Sequence, residues 1–242
     1  MKVNPTLPPN SSGPNGFILI DKPVGPTSFQ VVATIRRLLS PKDSKRRLKV
    51  GHAGTLDPLA SGLLIIAVGK ATKEIHKFVG LDKTYETTIT LGATTETDDA
   101  EAEPIVTPNA QPPTLEKVEQ AVKSFIGEQM QTPPLYSAKK QDGVRLYKLA
   151  RSGKTTDVKS HKIIIHDITV LSYTYPSLTI RVRCGSGTYI RSLARDIGAQ
   201  LNVGGYVNRL RRTAIGSHTT ENTITNYDDL TIISKELTLN LP

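Results

Sequence analysis

The segment GHAGTLDPLASG, residues 51–62, holds a single carboxylate in a loop punctuated by glycines. Pro58 follows Asp57 directly and biases that residue away from the helical conformation toward an extended one. The glycines on both sides let the chain turn sharply, so the carboxylate is presented from a fixed loop and can serve as a catalytic group. An Asp-Pro pair is also common where a one-turn helix begins with proline at its first position. Both interpretations stay open on this pattern alone.

Two further residues have types that could support an aspartate. Arg191 lies in GTYIR, near the start of a predicted helix, and an arginine beside a buried carboxylate keeps it ionised and oriented. Tyr85 lies on the apolar face of a predicted strand. A surface arginine and a core tyrosine would show the same patterns, so neither position assigns a function by itself.

The sequence lacks the patterns typical of metal and nucleotide sites. The chain has five histidines, and none forms a tight pair with a cysteine or with another histidine on one helical face; they are His52, His76, His161, His166 and His218. No glycine-rich segment ends in the GK[ST] of a phosphate-binding loop. Cys184 is the only cysteine, so an intramolecular disulfide cannot form, which fits a reducing compartment. We therefore expect neither a metal nor a cofactor.

The charge balance favours a polyanionic partner. Lys and Arg number 31 against 22 Asp and Glu, a formal net charge of +9, which is typical of nucleic-acid-binding proteins but also of some basic proteins without such a partner. Basic residues cluster at 42–49, 137–154 and 209–213. A solvated face would explain any one cluster, whereas three together favour nucleic acid. The RNA-binding candidates in two of the clusters are Lys139, Lys140, Arg145, Arg209 and Arg211.

Apolar periodicity predicts the elements that must position these residues. Strands are expected for GFILIDKP, LLIIAV, KTYETTITLG and near RRTAIGSHTT, with a hairpin of KIIIHDITVLSY and LTIRVRCG. Helices are expected for TSFQVVATIRRLLS, ATKEIHKFVG, TLEKVEQAVKSFIG, VRLYKLARSG and GTYIRSLARDIGAQLN. In the first helix, the apolar positions Phe29, Val32, Ile35 and Leu39 predict the buried face.

The mixture of helices and strands has no strict βαβα alternation, which predicts an α+β fold around a mainly antiparallel mixed sheet. We expect a flexible leader at residues 1–15, one domain at 16–216, and a short tail at 217–242. Residues 93–113 and 132–160 are predicted as excursions from that domain. No apolar run is long enough to cross a bilayer and no signal peptide is recognisable, so we expect a cytoplasmic protein that does not contact a membrane.

Four segments, in this order, resemble the tRNA pseudouridine-55 synthases of the B type: GFILIDKPVGPTS, GHAGTLDPLASGLLIIAVGKATK, KTYETTITLG and GTYIRSLARDIG. The resemblance covers about residues 16–216 and implies that this domain is a pseudouridine-synthase catalytic domain. PPLYSAKKQDGVRLYKLARSG also resembles the thumb insertion with which bacterial members grip the T arm of tRNA. The resemblance therefore implies an RNA-binding thumb at about 132–160.

The family isomerises uridine 55 in the T loop of tRNA to pseudouridine, without cofactor or metal, and the resemblance implies this activity here. Asp57 matches the family's catalytic aspartate, Arg191 the arginine that pairs with it, and Tyr85 the tyrosine that stacks on the target base. Whether the aspartate attacks as a nucleophile or abstracts a sugar proton stays open.

The resemblance also implies a pocket for the flipped-out base. His52 matches the histidine that helps to hold the base out of the RNA stack, and Tyr189 and Leu210 match residues that line the pocket. Lys22 and Pro23 match a turn that packs beside the catalytic loop.

The implied partner is the T arm of tRNA, and we expect a monomer with no obligatory protein partner. Many relatives carry a further C-terminal RNA-binding domain, and residues 217–242 are too few for a full domain of that kind. Three alternatives remain: a guide-dependent relative inside a ribonucleoprotein, an RNA-binding module without essential chemistry, and a retaining glycoside hydrolase. The last needs a second acid about 5 Å away, which no motif nominates.

Overall fold

The computed structural model describes residues 14–40, 47–137, 139–141, 143–152 and 158–224. In chain order the elements are β1 Gly16–Lys22, α1 Ser28–Leu39, β2 Val50–His52, β3 Ala60–Val68, α2 His76–Val79, β4 Lys83–Leu91, β5 Ala93–Thr94, β6 Ile105–Val106, α3 Leu115–Lys123, β7 Gly127–Gln131, β8 Lys140–Gln141, β9 Val144–Arg145, α4 Leu146–Arg151, β10 His161–Thr174, β11 Ser177–Cys184, α5 Ile190–Gln200, β12 Gly205–Ile215 and β13 His218–Thr219. Short 3-10 helices lie at Gly69–Lys73 and Thr220–Asn222. No helix among these residues is long and apolar enough to cross a membrane.

The chain forms two compact units. The first unit comprises residues 1–81 and 212–242, and the second comprises residues 82–211. The strand pairs of β3 with β1 and β2, and of β11 with β4 and β10, are antiparallel. The predicted α+β class with a mainly antiparallel sheet is confirmed. The predicted domain limits at residues 15 and 216 stay predictions.

In the first unit, β3 is the central element. Seven of its nine residues are apolar, and the strand is buried along almost its whole length. It pairs with β1 from Lys22↔Gly62 to Gly16↔Val68 and with β2 at its C-terminal end. The apolar cluster on this sheet includes Phe17 and Phe78, whose rings meet edge to face with centroids 4.7 Å apart. The predicted buried strand is confirmed.

Helix α1 begins with a capping box. Thr27 accepts a hydrogen bond from the Gln30 backbone, and the Gln30 side chain bonds back to the Thr27 backbone. The prediction that Phe29 belongs to the buried face is wrong, because its side chain is 67% exposed. The buried face instead runs from Ser28 through Ile35 to Leu39. Phe29 directly follows Ser28, and successive residues lie about 100° apart around a helix, so its side chain lies off that face.

A helix predicted for residues 71–80 is only partly present. The chain forms the 3-10 helix Gly69–Lys73 and then the four-residue helix α2, which ends at Gly80 as predicted. Only Ala71 and Phe78 of this stretch are buried, so little packing free energy favours a continuous helix.

The second unit is built on the strand order β12-β4-β11-β10-β7. Alternate residues of β4 are buried, from Tyr85 to Leu91, as its period of two predicts. The predicted hairpin is formed by β10 and β11, which pair antiparallel. Helix α5 buries Ile190, Leu193 and Ile197 along the predicted apolar face.

The segment 93–113, predicted as a loop, contains more structure than its composition indicates. Strands β5 and β6 pair with each other, and the turn between them is attached to β12. The Ala100 N–H donates to Val207 O at 2.9 Å, and the Val207 N–H donates to Asp98 O at 3.0 Å. Polar residues at 95–101 are therefore held at defined positions beside the sheet.

Candidate active site

Hydrogen bonds to main-chain atoms fix the Asp57 loop on both sides of the carboxylate. The Ser28 hydroxyl is 2% exposed; it accepts from the Leu56 N–H at 2.8 Å and donates to Leu56 O at 2.9 Å. On the other side, the Gly25 N–H donates to Pro58 O at 2.8 Å. Asp57 itself is half-buried. The first turn of α1 thus holds the residue before Asp57, and the turn before α1 holds the residue after it.

The alternative interpretation, in which Asp57 begins a one-turn helix, is wrong. The chain makes a single turn closed by the Ala60 N–H, which donates to Asp57 O at 3.0 Å, and β3 begins at Ala60. The constrained loop that the sequence predicts is present.

A fully buried lysine supports the turn that carries Gly25. The Lys22 side chain has no exposed area, and its Nζ donates to Pro23 O and to Pro26 O, each at 2.8 Å. Prolines cannot donate backbone hydrogen bonds, so this turn relies on a side chain to satisfy its carbonyl groups. The ammonium therefore ties the KPVGP turn together beside the loop.

Arg212 supports the loop from β12. Its side chain is 1% exposed; Nε donates to Leu63 O at 2.8 Å and Nη2 donates to Gly54 O at 3.2 Å. The backbones approach so closely that a Cβ at Gly62 would lie 2.2 Å from Arg212 O, and Gly62 has φ +102°. Glycine is therefore required at position 62 by both space and conformation.

Sequence reasoning missed Ser28 and Arg212 as parts of the site. Ser28 carries no distinctive sequence pattern, and Arg212 belongs to the RLRRT cluster, which a basic surface also explains. The glycine in LASG was a usable signal, because a glycine next to a buried strand often marks a close backbone approach.

His52 lies at the end of β2, before the catalytic loop. Burial lowers the pKa of its imidazole below the usual 6.5, and the positive charge of Arg212 lowers it further. The ring is therefore neutral at physiological pH. A neutral imidazole can stack on a nucleobase without the cost of removing a charge from water.

In the second unit, Arg191 is held rigidly by main-chain carbonyl groups. Its side chain is 5% exposed; Nη1 donates to Thr97 O at 2.9 Å and Nη2 donates to Tyr136 O at 3.0 Å. The interpretation of Arg191 as a surface residue is therefore wrong. Its guanidinium is oriented from the 95–101 turn and from the segment after β7.

Asp99 is a buried carboxylate that sequence reasoning missed. It is 1% exposed, and its Oδ2 lies 3.2 Å from Arg191 Nη1. Its Oδ1 accepts from Thr97 Oγ1 at 2.6 Å and from the Glu101 N–H at 3.0 Å. A buried charge of one sign requires such a partner. The acidic, Pro-rich composition of 93–113 gave no reason to separate Asp99 from its exposed neighbours.

Asp57 belongs to the first unit and Arg191 to the second, and the pairing of these two side chains stays a prediction. Tyr85 on β4 is 9% exposed, and Leu210 on the neighbouring strand β12 is 8% exposed. Tyr189 is half-buried and directly precedes α5. The pocket roles of these three residues are likewise predictions.

The predicted RNA-binding residues are described in part. Arg209 is exposed, Arg211 is half-buried, and partial burial lowers the pKa of Lys139. The side chains of Lys140 and Arg145 lie outside the described residues, as do positions 42–46, 138, 142, 153 and 154 of the basic clusters. All five stay candidates for phosphate contacts.

Within the part of the chain that the structure describes, no three His, Cys, Asp or Glu side chains group as metal ligands. Burial raises the pKa of the Cys184 thiol to about 11, so it is a structural residue rather than a nucleophile at neutral pH.

Comparisons with known proteins identify relatives over most of the chain. The family described as "TruB family pseudouridylate synthase (N terminal domain)" matches residues 36–190. A second family, "tRNA pseudouridylate synthase B C-terminal domain", matches residues 191–236.

Similar proteins from bacteria share a name. The tRNA pseudouridine synthase B of Phocaeicola vulgatus is 48% identical over 199 residues, which cover 82% of this chain and 85% of that protein. The protein of the same name from Flavobacterium johnsoniae is 43% identical over 221 residues, covering 91% of this chain and 95% of that one.

Solved structures show the same fold in larger proteins. One chain of a Cbf5-Nop10-Gar1 complex matches with a TM-score of 0.69 and 32% identity, over 91% of this chain and 56% of that one. A chain of an H/ACA RNP bound to a substrate RNA containing 2'-deoxyuridine matches with a TM-score of 0.66 and 28% identity, over 94% of this chain and 61% of that one. The match thus covers little more than half of these solved chains.

Proposed function

Because the chain belongs to the TruB family of pseudouridylate synthases, we propose that it isomerises uridine 55 in the T loop of tRNA to pseudouridine. The observation that carries the proposal is the GTLDPLASG loop, in which hydrogen bonds to Leu56 and Pro58 fix the backbone on either side of Asp57. A single carboxylate held in this way suits a reaction that needs no second acid and no activated water.

The reaction breaks the bond between C1′ of the ribose and N1 of uracil and forms a bond between C1′ and C5. Uracil C5 loses a proton and N1 gains one, so the product is an isomer of the substrate. Asp57 is the catalytic carboxylate, acting on the sugar either as nucleophile or as base. Extruding the uridine from the RNA stack costs a few kcal/mol, about the amount that stacking on aromatic side chains can offset. Tyr85 and the neutral ring of His52 supply that stacking.

Arg191 is assigned the role of keeping Asp57 ionised. Support comes from its burial and from the two carbonyl groups that fix its guanidinium plane. The same guanidinium also pairs with Asp99 at 3.2 Å, so the buried charge of that carboxylate is compensated. Tyr189 and Leu210 line the space for the base in this proposal.

The proposed partner is the T arm of tRNA, bound by the thumb at 132–160 and by the basic residues of 209–211. We further propose that the protein acts as a monomer in the cytoplasm, without an obligatory protein or guide RNA. The bacterial relatives named tRNA pseudouridine synthase B, at 43–48% identity, favour this over assembly into a complex of the Cbf5 kind.

The direct test is incubation of the purified chain with an unmodified tRNA transcript, followed by mapping of pseudouridine at single-nucleotide resolution. We expect modification at position 55 alone. Modification only after addition of a guide RNA and partner proteins would instead establish a guide-dependent enzyme. Tight tRNA binding without any pseudouridine would establish a binding module.

Substitution Asp57→Asn tests the catalytic role. We expect pseudouridine formation to fall by at least about 10³-fold, since an amide is neither a nucleophile nor a base of comparable strength. Binding of tRNA should stay within severalfold, because one charge outside the phosphate contacts is changed. The control is Asp167→Asn, an exposed aspartate on β10 that accepts a local bond from Thr169. Normal turnover by Asp57→Asn would refute the assignment.

A further inference from the structure

The ends of β7 and β10 place two polar side chains next to each other. Gln131 is the last residue of β7 and His161 the first of β10, and they are register partners in the antiparallel pair. Partners in register project to the same face of a sheet. Both side chains contact residues 187–189, the turn that leads into α5.

The Gln131 carboxamide holds the backbone of Tyr189. Its Oε1 accepts from the Tyr189 N–H at 2.8 Å and its Nε2 donates to Tyr189 O at 3.0 Å. Tyr189 has φ −98° and ψ 112°, an extended conformation in which N–H and C=O point to the same side. The side chain therefore bonds as a neighbouring strand would. Gln131 is 3% exposed, so water competes little for these bonds.

The imidazole of His161 contacts the same turn and the ring of Tyr189. Its Nε2 lies 3.0 Å from Gly187 O, and because a carbonyl oxygen only accepts, Nε2 carries the proton and donates. The imidazole also meets the Tyr189 ring edge to face, with centroids 6.1 Å apart and an interplanar angle of 84°. That geometry is typical of favourable aromatic pairs.

We infer that Gln131 and His161 are positioning residues for pseudouridine formation, acting together as a clamp on Tyr189. The inference rests on the proposed function, in which Tyr189 lines the pocket for the flipped uracil. Gln131 sets the backbone from which the ring projects, and His161 sets the ring orientation. Arg191 lies two residues further along, so the clamp also fixes the point at which α5 begins.

Two substitutions test the clamp by the rate of a single turnover with enzyme in excess over tRNA. Gln131→Met keeps the side-chain length but removes both hydrogen bonds, and His161→Leu removes both the bond to Gly187 and the ring contact with Tyr189. We expect each to slow pseudouridine formation about 10- to 100-fold, the scale of small displacements in a site, while the Kd for tRNA stays within about threefold. Met130→Gln, at a 65% exposed neighbour on β7, is the control and should match the wild-type rate.

A double-mutant cycle separates positioning from general loss of structure. If His161 acts through the Tyr189 ring, His161→Leu should slow the Tyr189→Leu variant by less than about twofold, because the ring that it orients is gone. Losses that multiply would show that His161 acts independently of Tyr189, and would overturn this part of the inference.

Hydrogen exchange tests the clamp without reference to activity. The Tyr189 amide should be protected in the wild type and exchange at least about tenfold faster in Gln131→Met, since its acceptor is lost. A wild-type chain that makes no pseudouridine but shows this protection would sink the proposed function and leave the clamp standing. Wild-type exchange and wild-type rates in both variants would overturn the clamp and leave the proposed function intact.

Discussion

Buried polar side chains hold the candidate site by binding main-chain oxygen atoms. Lys22 and Arg212 bond carbonyl groups beside the Asp57 loop, and Arg191 bonds two more in the second unit. A buried cation is costly unless several acceptors surround it, so these bonds are required by the burial itself. The bonds from these cationic side chains also fix the loops that contribute the carbonyl groups. The buried cations therefore fix the conformation of these loops in addition to contributing positive charge.

The sequence marks the Asp57 loop and, through the family resemblance, Lys22, but it does not mark Ser28 or Arg212, and the reason is physical. The glycines and the proline around Asp57 are visible in the sequence and indicate a constrained loop. Arg212 is one of three arginines in RLRRT, and nothing in the sequence separates the buried one from its exposed neighbour Arg209. Burial depends on which strand lies next to β12, and that is decided by residues about 150 positions earlier in the chain, such as Leu63.

His52 gives a prediction for the pH dependence of stability. Because burial and Arg212 lower its folded-state pKa, the unfolded chain takes up a proton at a higher pH than the folded chain. The contribution of His52 is present above the unfolded pKa of about 6.5 and is lost as pH falls from there through the folded pKa. We expect the free energy of unfolding of the wild type to fall more between pH 7 and pH 5 than that of His52→Gln.

Chemical denaturation at several pH values measures this difference, and NMR titration of the histidines gives the pKa of His52 directly. His76→Gln is the control, since that ring is exposed and bonded only to a local carbonyl group. A wild-type minus His52→Gln difference that stays constant across this range would contradict a lowered pKa.

Elements with strong periodicity were predicted well, and weakly periodic ones were not. Helix α5 and strands β3, β4, β10 and β11 each bury a continuous face, so their sequences carry the pattern. Strand β7, Gly127–Gln131, is polar and pairs only at the edge beside β10, and no period marks it. It nevertheless carries Gln131. A short polar strand at the end of a sheet has no apolar pattern by which its sequence could reveal it.

The packing of α5 against the chain that follows it gives a prediction at the element scale. A Cβ at Gly198 would lie 2.2 Å from Gly204 C and 2.3 Å from Gly205 N, so the helix could not keep its place. Alanine is favoured over glycine in a free helix by about 1 kcal/mol. We expect Gly198→Ala to destabilise the protein by about 1–3 kcal/mol despite that preference, because overpacked backbone must shift.

The control for Gly198→Ala is Gly80→Ala. Gly80 has ordinary helical torsions, and its added Cβ would meet nothing within 4 Å. We expect no loss of stability there in urea denaturation, and a pseudouridine synthase rate close to that of the wild type. Equal stability of the Gly198 and Gly80 variants would show that the close approach at α5 can be relieved without cost.

At the scale of the whole molecule, composition predicted a class of partner but not the surface to which that partner binds. The net charge of +9 is a property of the chain, whereas a binding surface depends on which cations share a face. Several basic side chains in the second unit already pair with acids: Arg181 with Glu86, Arg183 with Asp82, and Lys162 with Glu128. These pairs lower the number of cations available to phosphate groups. The basic residues of the proposed thumb, at 132–160, and those at 209–211 remain the candidates.

The salt dependence of tRNA binding tests those candidates together. Each cation that neutralises a phosphate group releases counterions, so the slope of log K against log[salt] should shrink by about 1 for each contact removed. We expect this from Lys139→Gln and from Arg209→Gln separately, with a combined change near the sum. Turnover at saturating tRNA should be unaffected, because neither residue is assigned to the chemistry. Lys77→Gln is the control, since that exposed lysine is paired with Glu74 at 2.8 Å, and it should leave the slope unchanged. Slopes equal to that of the wild type in both test variants would show that these basic residues form a solvated face rather than an RNA-binding surface.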